Sequence, residues 1–72
     1  MQTLKELREA AFLTQAELAQ KCGVSVQAVY SWEKGETVPR FAHIRKLAEV
    51  LGKAPQEIFE AVQETKKVRP AA

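Results

Sequence analysis

From Gln15 to Lys34 the chain reads QAELAQKCGVSVQAVYSWEK, with Leu18 and Ala19 on one side of a glycine and Val29 and Trp32 on the other. Gaps of three and four residues predict two short helices, and Gly23 between them predicts a tight turn that tolerates a positive φ. Ala19 offers a small side chain where two steeply crossed helices meet, and Val24 leads into the second helix. The apolar pair Val29 and Trp32 closes the angle from inside. On the other face of that helix, Gln27, Tyr30, Ser31 and Lys34 fall at i, i+3, i+4 and i+7, a polar stripe that no core requires. Thr14 followed by Glu17 has capping-box spacing, and Ser25 stands where an N-cap opens the second helix.

The same reading extends over the rest of the chain. Leu4, Leu7 and Ala11 make an apolar stripe behind Thr3 and Glu6, which predicts a first helix over about Thr3 to Ala11. Gly35 ends the motif's second helix, and Pro39 keeps Val38 out of the helical region, so residues 36–39 form a loop. A fourth helix is expected from about Arg40 to Leu51, with Ile44, Leu47, Ala48 and Leu51 on one face and Gly52 as its stop. Pro55 opens a fifth, carrying Ile58, Phe59 and Val62. Ala54 offers it no side-chain cap, so fraying is expected there. The prediction is an all-α, compact five-helix domain over residues 1–64, followed by a disordered basic tail over 65–72. Its expected core is Leu4, Leu7, Leu18, Ala19, Val24, Val29, Trp32, Ile44, Leu47, Leu51 and Ile58.

Composition narrows the function classes. A chain of 72 residues is one domain whose core must be built from mostly local contacts. The net charge of +2 is too mild to point to nucleic acid by itself; placement matters more, with Lys34, Arg40, His43, Arg45 and Lys46 following the motif closely. For Arg45 and Lys46 a solvated helix face explains the charge equally well. One cysteine cannot close an internal disulfide, and one histidine with one cysteine cannot complete a metal site, so neither metal nor cofactor is expected. Cys22 reads as a half-buried packing residue. With no aspartate, no glycine-rich phosphate loop and no carboxylate pair beside a base, the chain is not expected to be an enzyme. No apolar run approaches a membrane span of ~18 residues, and a cytoplasmic location is expected.

The segment LTQAELAQKCGVSVQAVYSWEKG resembles the helix-turn-helix of the Cro and lambda-repressor type, the xenobiotic-response-element family. The segments PRFAHIRKLAEVLG and PQEIFEAV are similar to that family's last two helices, so the likeness runs from about Leu4 to about Val62. It implies a bacterial or phage DNA-binding regulator of repressor type. It also implies that Arg8 pairs with Glu33 of the W-E-x-G element, that Gln15 anchors backbone phosphates, and that Arg40 lies beside the minor groove. Two positions depart from the pattern. Phe12 stands where the family often has glycine, and Arg40 where it usually has a serine-like cap. Phe12 is expected to be a partly covered aromatic.

On this reading the partner is double-stranded DNA. A helix fits the major groove, and a glutamine near its N-terminus bonds adenine through N6 and N7. Gln27 takes that role, Ser31 bonds bases of several kinds, Val26 touches a thymine methyl, and Tyr30 completes the base-reading set. Gln15, Lys34, Arg40 and His43 are assigned to phosphates, which dominate affinity but carry no sequence information. Useful specificity from so small a domain calls for two copies on half-sites about 34 Å apart, hence a homodimer on DNA. The rival is a protein-binding adaptor or antitoxin that keeps the fold and contacts another protein through the polar helix, Phe12 or Phe59, a reading that exposed apolar surface on the fifth helix would favour. Such an adaptor would not need the polar stripe of Gln27, Ser31 and Lys34.

Overall fold

A computed structural model describes residues 2–67 of the chain. They form five helices: α1 (Leu4–Ala10), α2 (Gln15–Cys22), α3 (Val26–Lys34), α4 (Phe41–Leu51) and α5 (Pro55–Lys67). The domain is all-α, with no strand among the described residues.

Local chemistry sets most of the starts. The hydroxyl of Thr3 accepts from the Glu6 amide at 3.2 Å while the Glu6 carboxylate accepts from the Thr3 amide at 2.7 Å. Thr14 and Glu17 repeat this reciprocal cap at 3.1 and 2.8 Å, and those bonds hold the Glu17 carboxyl below the usual glutamate range. Ser25 accepts from the Ala28 amide at 3.1 Å and opens α3. Arg40 occupies the cap position of α4 without any side-chain cap bond, so that helix begins one residue later than expected. At α5, Glu57 accepts from the Ala54 amide at 3.1 Å, half of a capping box that opposes the fraying expected there.

The ends differ in one respect. Gly23 and Gly35 close α2 and α3 with φ of +72° and +77°, where a side chain would be strained. After α1 the same turn is made by Phe12, at φ +59°. The Phe12 amide donates to the Glu9 carbonyl at 3.0 Å and the Leu13 amide to the Arg8 carbonyl at 3.3 Å, so the closing bonds hold Phe12 in the left-handed region. Its ring is 93% exposed, which corrects the expectation of a partly covered aromatic. Since the ring recovers little by packing, Phe12→Gly should raise stability by about 1 kcal/mol, measurable by urea denaturation.

Packing then assembles the helices around one core. Leu4, Leu18, Val29, Leu47 and Ile58 are fully buried, and Ala19, Trp32, Ile44 and Leu51 close around them. Ala19 lies at the crossing of α2 and α3, where its carbonyl also accepts from the Val24 amide at 3.0 Å. Val24 itself, expected in the core, is half-buried against it, because it sits in the turn rather than on a helix face. Cys22 is buried rather than half-buried, and burial pushes its thiol pKa up, away from the thiolate that redox chemistry uses.

The domain boundary expected after residue 64 falls inside α5, which continues to Lys67. Thr65 explains the extension. It is buried, its hydroxyl donates to the Ala61 carbonyl at 2.7 Å, and it accepts from the Leu4 amide at 3.0 Å. A residue 61 positions away thus satisfies one of the unpaired amides at the start of α1. Thr65→Val should cost about 1–3 kcal/mol by leaving that buried amide without an acceptor, and thermal or urea unfolding would register it. The remainder of the expected tail, residues 68–72, lies outside the described residues.

Candidate nucleic-acid interface

Helix α3 has two unlike faces. Val29 and Trp32 are 0% and 6% exposed and fasten the helix to the core, whereas Val26, Gln27 and Tyr30 are exposed and Ser31 is half-buried. The four residues expected to read bases therefore lie along the free side, with Ser31 set deepest. Lys34 closes the row. Its ammonium lies 5.1 Å from the centroid of the Tyr30 ring and 3.7 Å from the Glu36 carboxylate, both in solvent-exposed surroundings. An exposed pair at that distance contributes little, so a phosphate can displace Glu36.

The other cations are placed differently from one another. Arg40 is exposed at the start of α4, and no carboxylate lies within ion-pair range of it among the described residues. His43 is half-buried, its ring tilted against Trp32 with centroids 5.4 Å apart. The first contact of His43 is thus aromatic packing between α4 and α3, and any phosphate role falls to whatever ring edge remains in solvent.

Gln15, at the first position of α2, is half-buried and donates from its side-chain amide to Glu33 Oε1 at 2.9 Å. One amide proton is left for a phosphate. The α2 N-terminus lies beside it, where unpaired backbone amides favour anions.

Glu33 gathers this side of the motif. Arg8 donates through Nε to Glu33 Oε2 at 2.6 Å and through Nη2 to Oε1 at 3.1 Å, and its Nη1 donates to the Leu13 carbonyl at 2.7 Å. The side chains of Arg8 and Glu33 are 10% and 4% exposed, so the pair is shielded from water. Its hydrogen bonds to Glu33 hold the guanidinium pKa above its ordinary value. The Arg8–Glu33 pair thereby ties together the end of α1, the loop before α2, the start of α2 and the last turn of α3. The resemblance implied the pair; the added ties to Leu13 and Gln15 had no sequence signal, because they depend on where the α1–α2 loop lies against α3.

Among the described residues there is no cluster of three or more His, Cys, Asp or Glu side chains able to hold a metal ion. No described helix is long and apolar enough to cross a membrane.

Two crossed helices, with the second fastened by one face and offering a polar free face, define a helix-turn-helix DNA-binding domain. The chain belongs to the Cro/C1-type helix-turn-helix family: a family model described as Helix-turn-helix matches residues 4–58. Comparisons with curated proteins and with solved structures give no match. Membership implies DNA binding in the service of transcriptional regulation, in a family that is typically non-enzymatic.

Proposed function

We propose that this domain is a sequence-specific double-stranded DNA-binding regulator of repressor type, which lays α3 in the major groove and acts as a homodimer on DNA. The observation that carries the reading is the division of α3 into a buried apolar face and an exposed face of Val26, Gln27 and Tyr30 with Ser31 beside them. Gln27, in the first turn, reads adenine; Ser31 and Tyr30 contact neighbouring bases, and Val26 meets a thymine methyl. Gln15, Lys34 and Arg40 set the register on the backbone. The rival adaptor reading draws on the exposed rings of Phe12 and Phe59, but it leaves the polar stripe of α3 without a role.

Selection of bound duplexes from a random library tests the proposal, since a preferred site and its half-site spacing would both emerge. Two variants then separate specificity from affinity. Gln27→Ala should lose roughly 1–3 kcal/mol on the selected site and almost nothing on a scrambled duplex. Arg40→Ala should weaken binding to both and lower the salt slope by about one unit. Equal losses on both duplexes for Gln27→Ala would remove that residue from base reading. If the wild-type protein bound no duplex at low salt, the adaptor reading would replace this one.

A further inference from the structure

Phe12 is the most exposed of the large apolar side chains described, at 93%, and it holds a backbone conformation that glycine adopts without steric cost. Two penalties thus meet at one residue: a left-handed φ of +59° on a side chain with a Cβ, and a ring left in water. No packing inside the domain offsets them. A strained residue that the folded core leaves unused calls for a role in a bound state.

We propose that the Phe12 ring packs on a deoxyribose of bound DNA, extending the backbone contact beyond the phosphate assigned to Gln15. The inference rests on the reading of α3 as the groove-docking helix and of Gln15 as a phosphate contact. Continuity with that contact carries it. The Leu13 amide donates to the Arg8 carbonyl at 3.3 Å and the Leu13 carbonyl accepts from Arg8 Nη1 at 2.7 Å, so the residue after Phe12 is tied to Arg8 twice. Arg8 is bound to Glu33, and Glu33 also accepts from Gln15 at 2.9 Å. Ring and phosphate ligand are therefore mounted on one frame. Three residues of chain span at most about 11 Å, and a DNA strand carries a phosphate every ~3.4 Å of helix axis. Phe12 thus stands no more than about three nucleotides along the strand from the phosphate that Gln15 holds.

Chemistry selects the sugar. A phenyl ring offers no donor to a phosphate oxygen, and the bases are stacked inside the duplex, where α3 reads them. The C–H faces of deoxyribose are the apolar surface that a duplex shows along its backbone. Area separates this reading from a protein partner. One phenylalanine supplies about 200 Å² at most, against the ~800 Å² per partner of a standard protein interface. Phe41 and Phe59 share a groove between α4 and α5 in which Phe12 takes no part, and its own neighbours Ala11 and Leu13 are half-buried. A lone ring is too little for a protein interface of its own and enough as an addition to the one assigned to Gln15, Lys34 and Arg40.

The test compares wild type with Phe12→Gly on the selected and the scrambled duplex across a salt series, with urea unfolding in parallel. Phe12→Gly should bind both duplexes about tenfold more weakly, the loss to which roughly 60 Å² of uncovered ring corresponds. Its salt slope should equal that of wild type, since an apolar contact releases no counterions. Its unfolding midpoint should rise, so that the lost affinity does not come from a damaged fold. Phe12→Asn, which tolerates the same φ without a ring, should lose as much affinity, which separates the ring from chain flexibility. With single nucleosides removed in turn from each strand, one gap outside the bases read by α3 should weaken wild type about tenfold and leave Phe12→Gly unaffected. Wild-type affinity in Phe12→Gly or Phe12→Asn would overturn the inference, keep the DNA reading intact and leave the ring for a protein partner. A loss confined to the selected duplex would move the ring onto bases, and a lowered salt slope would make it a support for a cationic contact; either outcome overturns the sugar contact, as does a gap series without such a position. A wild type that binds neither duplex at low salt would sink the DNA reading itself and the inference with it.

Discussion

Glu33→Ala should cost the domain about 3–5 kcal/mol, the expected result of removing one member of a shielded ion pair and leaving the other charge in place. Arg8 would keep its bond to the Leu13 carbonyl but lose both bonds to the carboxylate, and Gln15 would lose its acceptor. For a chain of 72 residues the whole stability is roughly 4–11 kcal/mol, so this one change takes a large share of it. Glu33→Gln separates charge from hydrogen bonding. It keeps an oxygen for Gln15 and one bond for Arg8, and should lose less than the alanine variant. Urea denaturation followed by circular dichroism measures both. A loss under about 1 kcal/mol for Glu33→Ala would mean that Arg8 finds water or another acceptor, and that the pair does not fasten α1 to α3.

The second large effect is expected at Trp32. Trp32→Ala should cost about 3–5 kcal/mol, through lost burial and the cavity left in the core. The indole is 6% exposed and lies against His43, so its removal strips α3 of an anchor and His43 of its aromatic contact at once. With Val29 as the remaining buried anchor on that face of α3, the helix should lose its fixed angle to the body. DNA affinity should therefore fall on selected and scrambled duplexes alike, unlike the selective loss expected for Gln27→Ala. Trp32→Phe, which keeps a ring in the space, should lose less than alanine. A stability unchanged in Trp32→Ala would show that the two faces of α3 have been assigned the wrong way round.

Much of this architecture was legible along the chain because it depends on local spacing. A helical repeat puts Val29 and Trp32 on one side of α3 and Gln27, Tyr30 and Lys34 on another whatever the remaining helices do. Thr3 with Glu6, Thr14 with Glu17, and the glycines at positions 23, 35 and 52 act within a few residues of themselves, so their effects could be read in order. Phe12 was visible as a departure from a glycine position. That its ring stays in solvent was not, since covering it would have required a neighbour that only the packed chain could supply.

What the sequence by itself determined, then, is the set of helices, their caps, the buried faces and the exposed stripe of α3, because each follows from side-chain type and repeat length over a few turns. Tertiary structure alone decided the partners across helices. Thr65 caps α1 from the far end of the chain, Gln15 joins the Arg8–Glu33 pair, His43 packs on Trp32, and Phe41 meets Phe59 in one groove. The physical reason is that these contacts lie between residues 11 to 61 positions apart on different helices, and which side chains meet is set by crossing angles and the placement of loops, neither of which a local repeat encodes.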